Sequence, residues 1–201
     1  MPETETKRLF VAIFPPAGIV TGLQAAVAGL AREIPARAIR WTRPEQVHLT
    51  LNFLGAIELA RIPEIKAAVR AACNGHTPHK VRAAGLGCFP NESRPQIIWA
   101  GLVGELRRLQ RLKEEMDARL LACGCAGEDR PFRPHLTIGR VSKLNGAVRK
   151  QVTEALLRER NRDFGEWQVA RVDLMESTLL PQGAVYDTLE SIPLNLPPAS
   201  V

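Results

Sequence analysis

The sequence predicts an α+β protein organised as a pseudo-twofold pair of lobes. Three observations carry that prediction. Short apolar or alternating runs interleave with stretches whose apolar residues recur at helical spacing. The element order of the first half of the chain returns in the second, offset by 87 or 88 residues throughout. A short segment, His48-Leu49-Thr50, reappears at that spacing as His135-Leu136-Thr137.

Arg8 to Phe14 (RLFVAIF) is apolar on both faces and reads as a strand buried near the middle of a sheet. Pro15-Pro16 ends it and opens a helix with Ile19, Leu23, Val27 and Leu30 on one stripe, running to about Ile34. A basic segment, Arg37 to Arg43, leads into a strand at Val47-His48-Leu49-Thr50-Leu51, which closes at Gly55. A second helix spans roughly Glu58 to Cys73, with Ile62, Ile65 and Val69 inward, and Asn74-Gly75 terminates it. A further strand covers 79 to 88.

The pattern then starts again. Gln96 to Leu102 is a buried strand, and Leu106, Leu109, Met116 and Leu120 mark a helix to about Cys123. Gly124 to Gly127 is loop, and the second motif strand runs from Pro134 to Val141. Asn145 can cap a helix carrying Val148, Val152 and Leu156. Glu166 to Glu176 and Ala184 to Ile192 read as closing strands joined by a turn at Pro181-Gln182-Gly183. At an offset of 87, Arg43 to Thr50 and Arg130 to Thr137 share five identities in eight positions, which points to duplication. The expected organisation is one bilobal domain over 1–201, with the repeat at approximately 8–88 and 96–176 and a C-terminal strand at 184–192.

On a strand, residues i and i+2 share a face. His48 therefore lies beside Thr50 and His135 beside Thr137, while Leu49 and Leu136 turn the other way. Two such strands meeting across a cleft would supply a proton acceptor, a proton donor and two neutral hydrogen-bond donors, which suits acid–base chemistry on a phosphodiester without metal. A lone histidine on a strand is more often structural. Here two of only four histidines fall at equivalent repeat positions, and that reverses the balance.

Charge agrees with an anionic substrate. The formal net charge is +6, and between Arg130 and Lys150 there are six basic residues and no acid. Arg140 would point away from His135 under strict alternation, and a bulge at Gly139 would bring it round. Arg133 shares the parity of His135 but lies across Pro134. Phe10 could stack on a base, but core packing suits it better. Cys73, His76 and His79 have a metal-like spacing with no fourth ligand in view, and Cys123-Gly124-Cys125 is too tight for a zinc knuckle, so no metal or other cofactor is expected. No run approaches a membrane span, and Met1 to Lys7 is polar and acidic rather than signal-like, so the expected compartment is the cytoplasm, where four unpaired cysteines would be at home.

The two motifs, with the flanks RLFVAIFPP, PEQVHLTLNFLG, FRPHLTIGRV and MESTLLPQGAVYDTL, resemble the two-histidine phosphoesterase superfamily. More narrowly, the chain resembles the bacterial and archaeal RNA 2′,3′-cyclic phosphodiesterases, also called 2′-5′ RNA ligases, over nearly its whole length. The resemblance implies antiparallel sheets flanked by helices and lining a central cleft. It also implies metal-independent opening of a 2′,3′-cyclic phosphate to a 2′-phosphomonoester, and a reverse reaction that joins RNA ends. It assigns His48 as the acid towards the 3′ oxygen and His135 as the base on water, with Thr50 and Thr137 donating to the non-bridging oxygens and Arg140 contacting phosphate. RNA with cyclic phosphate ends, tRNA-like or smaller, is the implied partner, with no obligate protein partner. The residues leave two other readings open. One is a phosphodiesterase for a small cyclic nucleotide or an ADP-ribose cyclic phosphate; the other is a catalytically idle RNA-binding module.

Overall fold

A computed structural model describes residues 5–127, 130–181 and 183–194. The chain runs through β1 (Thr6–Ile13), α1 (Ala17–Glu33), β2 (Ile39–Trp41), β3 (Leu49–Glu58), α2 (Ile62–Cys73), β4 (His79–Phe89) and β5 (Ile97–Gly104). It continues through α3 (Leu106–Ala122), β6 (His135–Val141), α4 (Gly146–Arg158), β7 (Asp163–Val169), β8 (Arg171–Leu180) and β9 (Gly183–Pro193). The fold is α+β and bilobal. Two antiparallel sheets, ordered β3-β1-β8-β9 and β2-β6-β5-β4-β7, are flanked by the helices. Helices α2 and α3 pack on each other and over β3, β8 and β9, while α1 and α4 pack together against β7 and β4.

The helices form where the apolar stripes fall. Ile19, Leu23, Val27 and Leu30 of α1 are all buried, and the Asn145 side chain accepts a 2.9 Å hydrogen bond from the Val148 amide at the start of α4. Helix α2 begins at Ile62, later than its expected start at Glu58, because β3 runs on to Glu58 and a 3-10 turn, Leu59–Arg61, intervenes.

Each sheet draws strands from both halves of the sequence. β4 joins the second-half strands β5 and β6, and β8 and β9 join the first-half strands β1 and β3. The repeat is nevertheless exact in the ladders. The pairs Val11–Asn52, Ala12–Thr50 and Ile13–Leu49 in the first sheet become Ile98–Gly139, Trp99–Thr137 and Ala100–Leu136 in the second when every number is raised by 87.

Two expectations are corrected. The run Glu166 to Glu176 is not one strand. It breaks at Ala170 into β7, at the edge of the second sheet, and β8, inside the first. The basic segment Arg37 to Arg43 contains a strand, β2, that pairs with β6. Of the expected turn at 181–183, Gln182 lies outside the described residues, as do Met1 to Thr4 of the N-terminal segment; Leu180 pairs with Gly183.

Candidate active site

The site is built where β3 and β6, each at or near the edge of its own sheet, approach across the junction of the two lobes. Leu49 and Leu136 are buried at 1% and 0% exposure, with Leu51 and Ile138 beside them in the core. Thr50 and Thr137 are half-buried on the opposite face. His48 lies one residue ahead of β3, and His135 is the first residue of β6. Burying the leucines therefore turns both His/Thr pairs outward, because the side chains of an extended chain alternate.

Both ladders bulge at the same point of the motif. Leu51 has no partner on β1, and Ile138 has none on β5. The extra residue reverses the parity downstream. On β6, Ile138 and Gly139 both face the core, and Arg140 emerges exposed on the face of His135 and Thr137. Glycine is required at 139 because a Cβ there would lie 2.9 Å from Ile39 Cγ2 and 3.0 Å from Trp41 Cε3. On β3 the same bulge brings Phe53 out beside Phe10, at the position equivalent to Arg140, and leaves its ring 65% exposed. Sequence reasoning missed Phe53. The signal for it is the repeat itself, since Phe53 is 87 residues before Arg140.

Each histidine is held in the same way. His48 Nδ1 is 2.7 Å from the Gln46 carbonyl oxygen, and His135 Nδ1 is 2.6 Å from that of Arg133. A carbonyl can only accept, so Nδ1 carries the hydrogen in both rings. In each neutral ring Nε2 is then the free acceptor, on the far side from the strand that holds it. Arg133 thus enters the site through its backbone oxygen, and its own side chain is exposed. The segment ahead of His48 is pinned further by Gln46, whose side-chain amide donates to the Ala184 carbonyl of β9.

Aromatic residues pack around both rings. His48 lies 5.1 Å from Phe10, 5.4 Å from Phe14 and 5.5 Å from Tyr186, between ring centroids. His135 meets Phe89 edge-on at 5.0 Å. Phe10 is buried among Ala12, Met175, Phe14 and Tyr186, so it serves as a floor beneath His48. Tyr186, the only tyrosine of the chain, falls within the flank MESTLLPQGAVYDTL, but nothing in the sequence singles out it or Phe89 as a neighbour of the histidines.

This setting moves the protonation equilibria. Burial is the main reason that His48 titrates below the ordinary histidine value, and its hydrogen bond to Gln46 opposes that. Repulsion from His135 and Arg140 lowers it further. Burial likewise lowers His135, against its bond to Arg133. Arg140 also favours the ionised form of Tyr186, whose hydroxyl is nonetheless pushed up by burial. Arg140, carried by the second motif, therefore acts on the histidine of the first. Contact between β3 and β6 across the lobe junction accounts for that crossover.

The remaining candidates lie elsewhere. His79 is buried at the start of β4, with Nδ1 3.2 Å from the Thr77 carbonyl. Cys73 is a buried free thiol. Among the described residues, no group of three or more histidine, cysteine, aspartate or glutamate side chains converges as a metal site would require.

Two lobes joined at paired H-x-T-x strands define a phosphoesterase of the two-histidine class. The family model described as "LigT like Phosphoesterase" matches residues 13–99 and 102–186, and the chain belongs to that family. It is 33% identical over 192 residues to an RNA 2′,3′-cyclic phosphodiesterase of Thermus thermophilus, covering 93% of this chain and 90% of that one. It is 32% identical over 186 residues to an RNA 2′,3′-cyclic phosphodiesterase of Archaeoglobus fulgidus, covering 90% of this chain and 97% of that one. Among solved structures, TT0787 of Thermus thermophilus superposes with a TM-score of 0.74 at 32% identity, covering 93% of this chain and 97% of that one.

Proposed function

We propose that this protein hydrolyses RNA 2′,3′-cyclic phosphate ends to 2′-phosphomonoesters by acid–base catalysis between His48 and His135, without a metal ion. The observation that carries the proposal is the symmetric tethering of the two imidazoles. Each has Nδ1 committed to a backbone carbonyl two residues upstream, with a threonine on the same face. The names of the relatives supply the substrate class.

In this scheme water attacks phosphorus and passes a proton to His135 Nε2. The bond from phosphorus to the 3′ oxygen breaks, and His48 delivers a proton to that oxygen. A 2′-phosphomonoester and a free 3′-hydroxyl result, and the proton gained by His135 balances the one lost by His48. With the 5′-hydroxyl of another RNA end in place of water, the same step would open the cyclic phosphate into a 2′-5′ phosphodiester. The hydroxyl proton passes to His135, the bond from phosphorus to the 3′ oxygen breaks, and His48 protonates that oxygen. Cleavage of the 2′-5′ bond exchanges the roles. Thr50 and Thr137 donate to the non-bridging oxygens as these gain charge. Arg140 attracts the phosphate. The anion also offsets the repulsion that Arg140 and His135 exert on protonated His48, so substrate binding itself favours the charged acid. The four motif residues include no carboxylate to hold magnesium, which supports metal independence. The four free thiols agree with a reducing compartment such as the cytoplasm.

The test is to incubate the protein in EDTA with an oligoribonucleotide ending in a 2′,3′-cyclic phosphate and to identify the product by phosphorus NMR. Full activity yielding only the 2′-phosphate is expected. No turnover would refute the proposed reaction on RNA ends, and activity regained only with a divalent ion would refute the metal-free mechanism.

A further inference from the structure

Arg40 stands directly opposite Arg140 in the β2–β6 ladder. Its neighbours Ile39 and Trp41 pack into the core, as does Val141, so both arginines project on the face that carries His135 and Thr137. Both are exposed, and neither has a carboxylate partner among the described residues. The row continues from Arg140 through Ile97 to Phe89 without an acid. Like charges directly opposite on a sheet destabilise the pairing. Anionic groups seated on them would remove that cost.

The two arginines are not equivalent. Arg140 acts electrostatically on His48 and Tyr186. Arg40 belongs to β2, the edge strand, one strand spacing of about 4.8 Å farther out. Two cations at different depths suit two successive phosphates, and a free cyclic mononucleotide has only one.

On the function proposed above, we infer that Arg40 binds the phosphodiester one nucleotide upstream of the reacting cyclic phosphate. The cleft is thereby fitted to the end of an RNA strand rather than to a small cyclic nucleotide. The strand leaves the site over the open edge of β2, with Arg140 on the reacting phosphate and Arg40 on the next. Arg40 is a specificity residue in this account and takes no part in proton transfer.

The experiment compares Arg40→Gln with the parent on two substrates, adenosine 2′,3′-cyclic phosphate and a pentaribonucleotide with a 2′,3′-cyclic end. The expected result is a loss of roughly tenfold in kcat/KM on the pentamer and less than twofold on the mononucleotide, with the salt slope for the pentamer reduced by about 0.7. An equal loss on both substrates would place Arg40 on the reacting phosphate and overturn the inference. No loss on the pentamer would also overturn it, leaving Arg40 as an ordinary edge charge. A second arm needs no turnover: fluorescence anisotropy of a labelled pentaribonucleotide ending in a 2′-phosphate. Arg40→Gln must weaken that binding, and unchanged binding overturns the inference. If the parent turns over neither substrate, the proposed function fails, and the binding arm still decides the role of Arg40.

Discussion

Gly139→Ala should damage both stability and the site, because the new methyl group has nowhere to go. A Cβ at 139 would stand 2.9 Å from Ile39 Cγ2 and 3.0 and 3.2 Å from Trp41 Cε3 and Cζ3. Ile39 is 4% exposed and Trp41 packs against the core, so neither can swing into solvent without loss. Overpacking of this kind costs about 1–3 kcal/mol. For a chain of this length that lowers Tm by roughly 2–12 °C. The contact also pushes on β2, which is held on one side only and leads through 42–47 into His48. A fall in kcat/KM on a 2′,3′-cyclic nucleotide should therefore accompany the loss of stability. Gly29→Ala is the matched control. A Cβ there meets nothing within 4 Å, and inside a helix the change should stabilise by about 0.5–1 kcal/mol. Urea unfolding and steady-state assays of both variants decide the matter. If Gly139→Ala unfolds like the parent and keeps its activity, the packing account of the bulge is wrong.

Other consequences follow from single contacts. Arg140→Gln removes a repulsion on protonated His48, so the His48 ring resonance should titrate at higher pH; an unchanged or lower midpoint would show that Arg140 does not face it. Lys113, 5% exposed, donates to both oxygens of Asp117, which also accepts from Asn52 at the β3 bulge. Asp117→Ala should cost about 1–3 kcal/mol in urea unfolding, and adding Lys113→Met should recover most of it. No recovery would mean that the stranded ammonium is not the cause. Burial pushes the Cys73 thiol up to about 12, so a short iodoacetamide pulse at pH 8 should leave it unmodified in the native protein and alkylate it after unfolding. Rapid native labelling would contradict that burial.

The repeat was legible because the two ladders preserve it pair by pair, down to the bulge at the fourth motif position. The bulge itself was legible through Gly139, a residue that strands tolerate only for a reason. β2 escaped notice because three residues with an arginine in the middle have no hydrophobic period to read. β7 and β8 merged in the sequence because a single residue, Ala170, separates them and apolar positions continue across it. Their separate sheets are fixed by pairing with β4 and β1, partners that lie far away in sequence. Buried Lys113 was equally hidden, since its carboxylate and the Phe132 ring 5.8 Å away are what make its burial tolerable. Tyr186 and Phe89 reach the histidines only through tertiary packing.

The central claim is that His48 and His135 act as one acid–base unit on a single phosphate. Its most direct test is a double-mutant cycle of kcat/KM on adenosine 2′,3′-cyclic phosphate with His48→Ala, His135→Ala and the pair together. Each proton transfer typically contributes ~10²–10⁴, and groups that act together are strongly non-additive when removed. Each single variant should lose at least about a hundredfold, and the double variant should fall little below the weaker single. Near-parental turnover by either single variant, or losses that simply multiply, would contradict the paired mechanism.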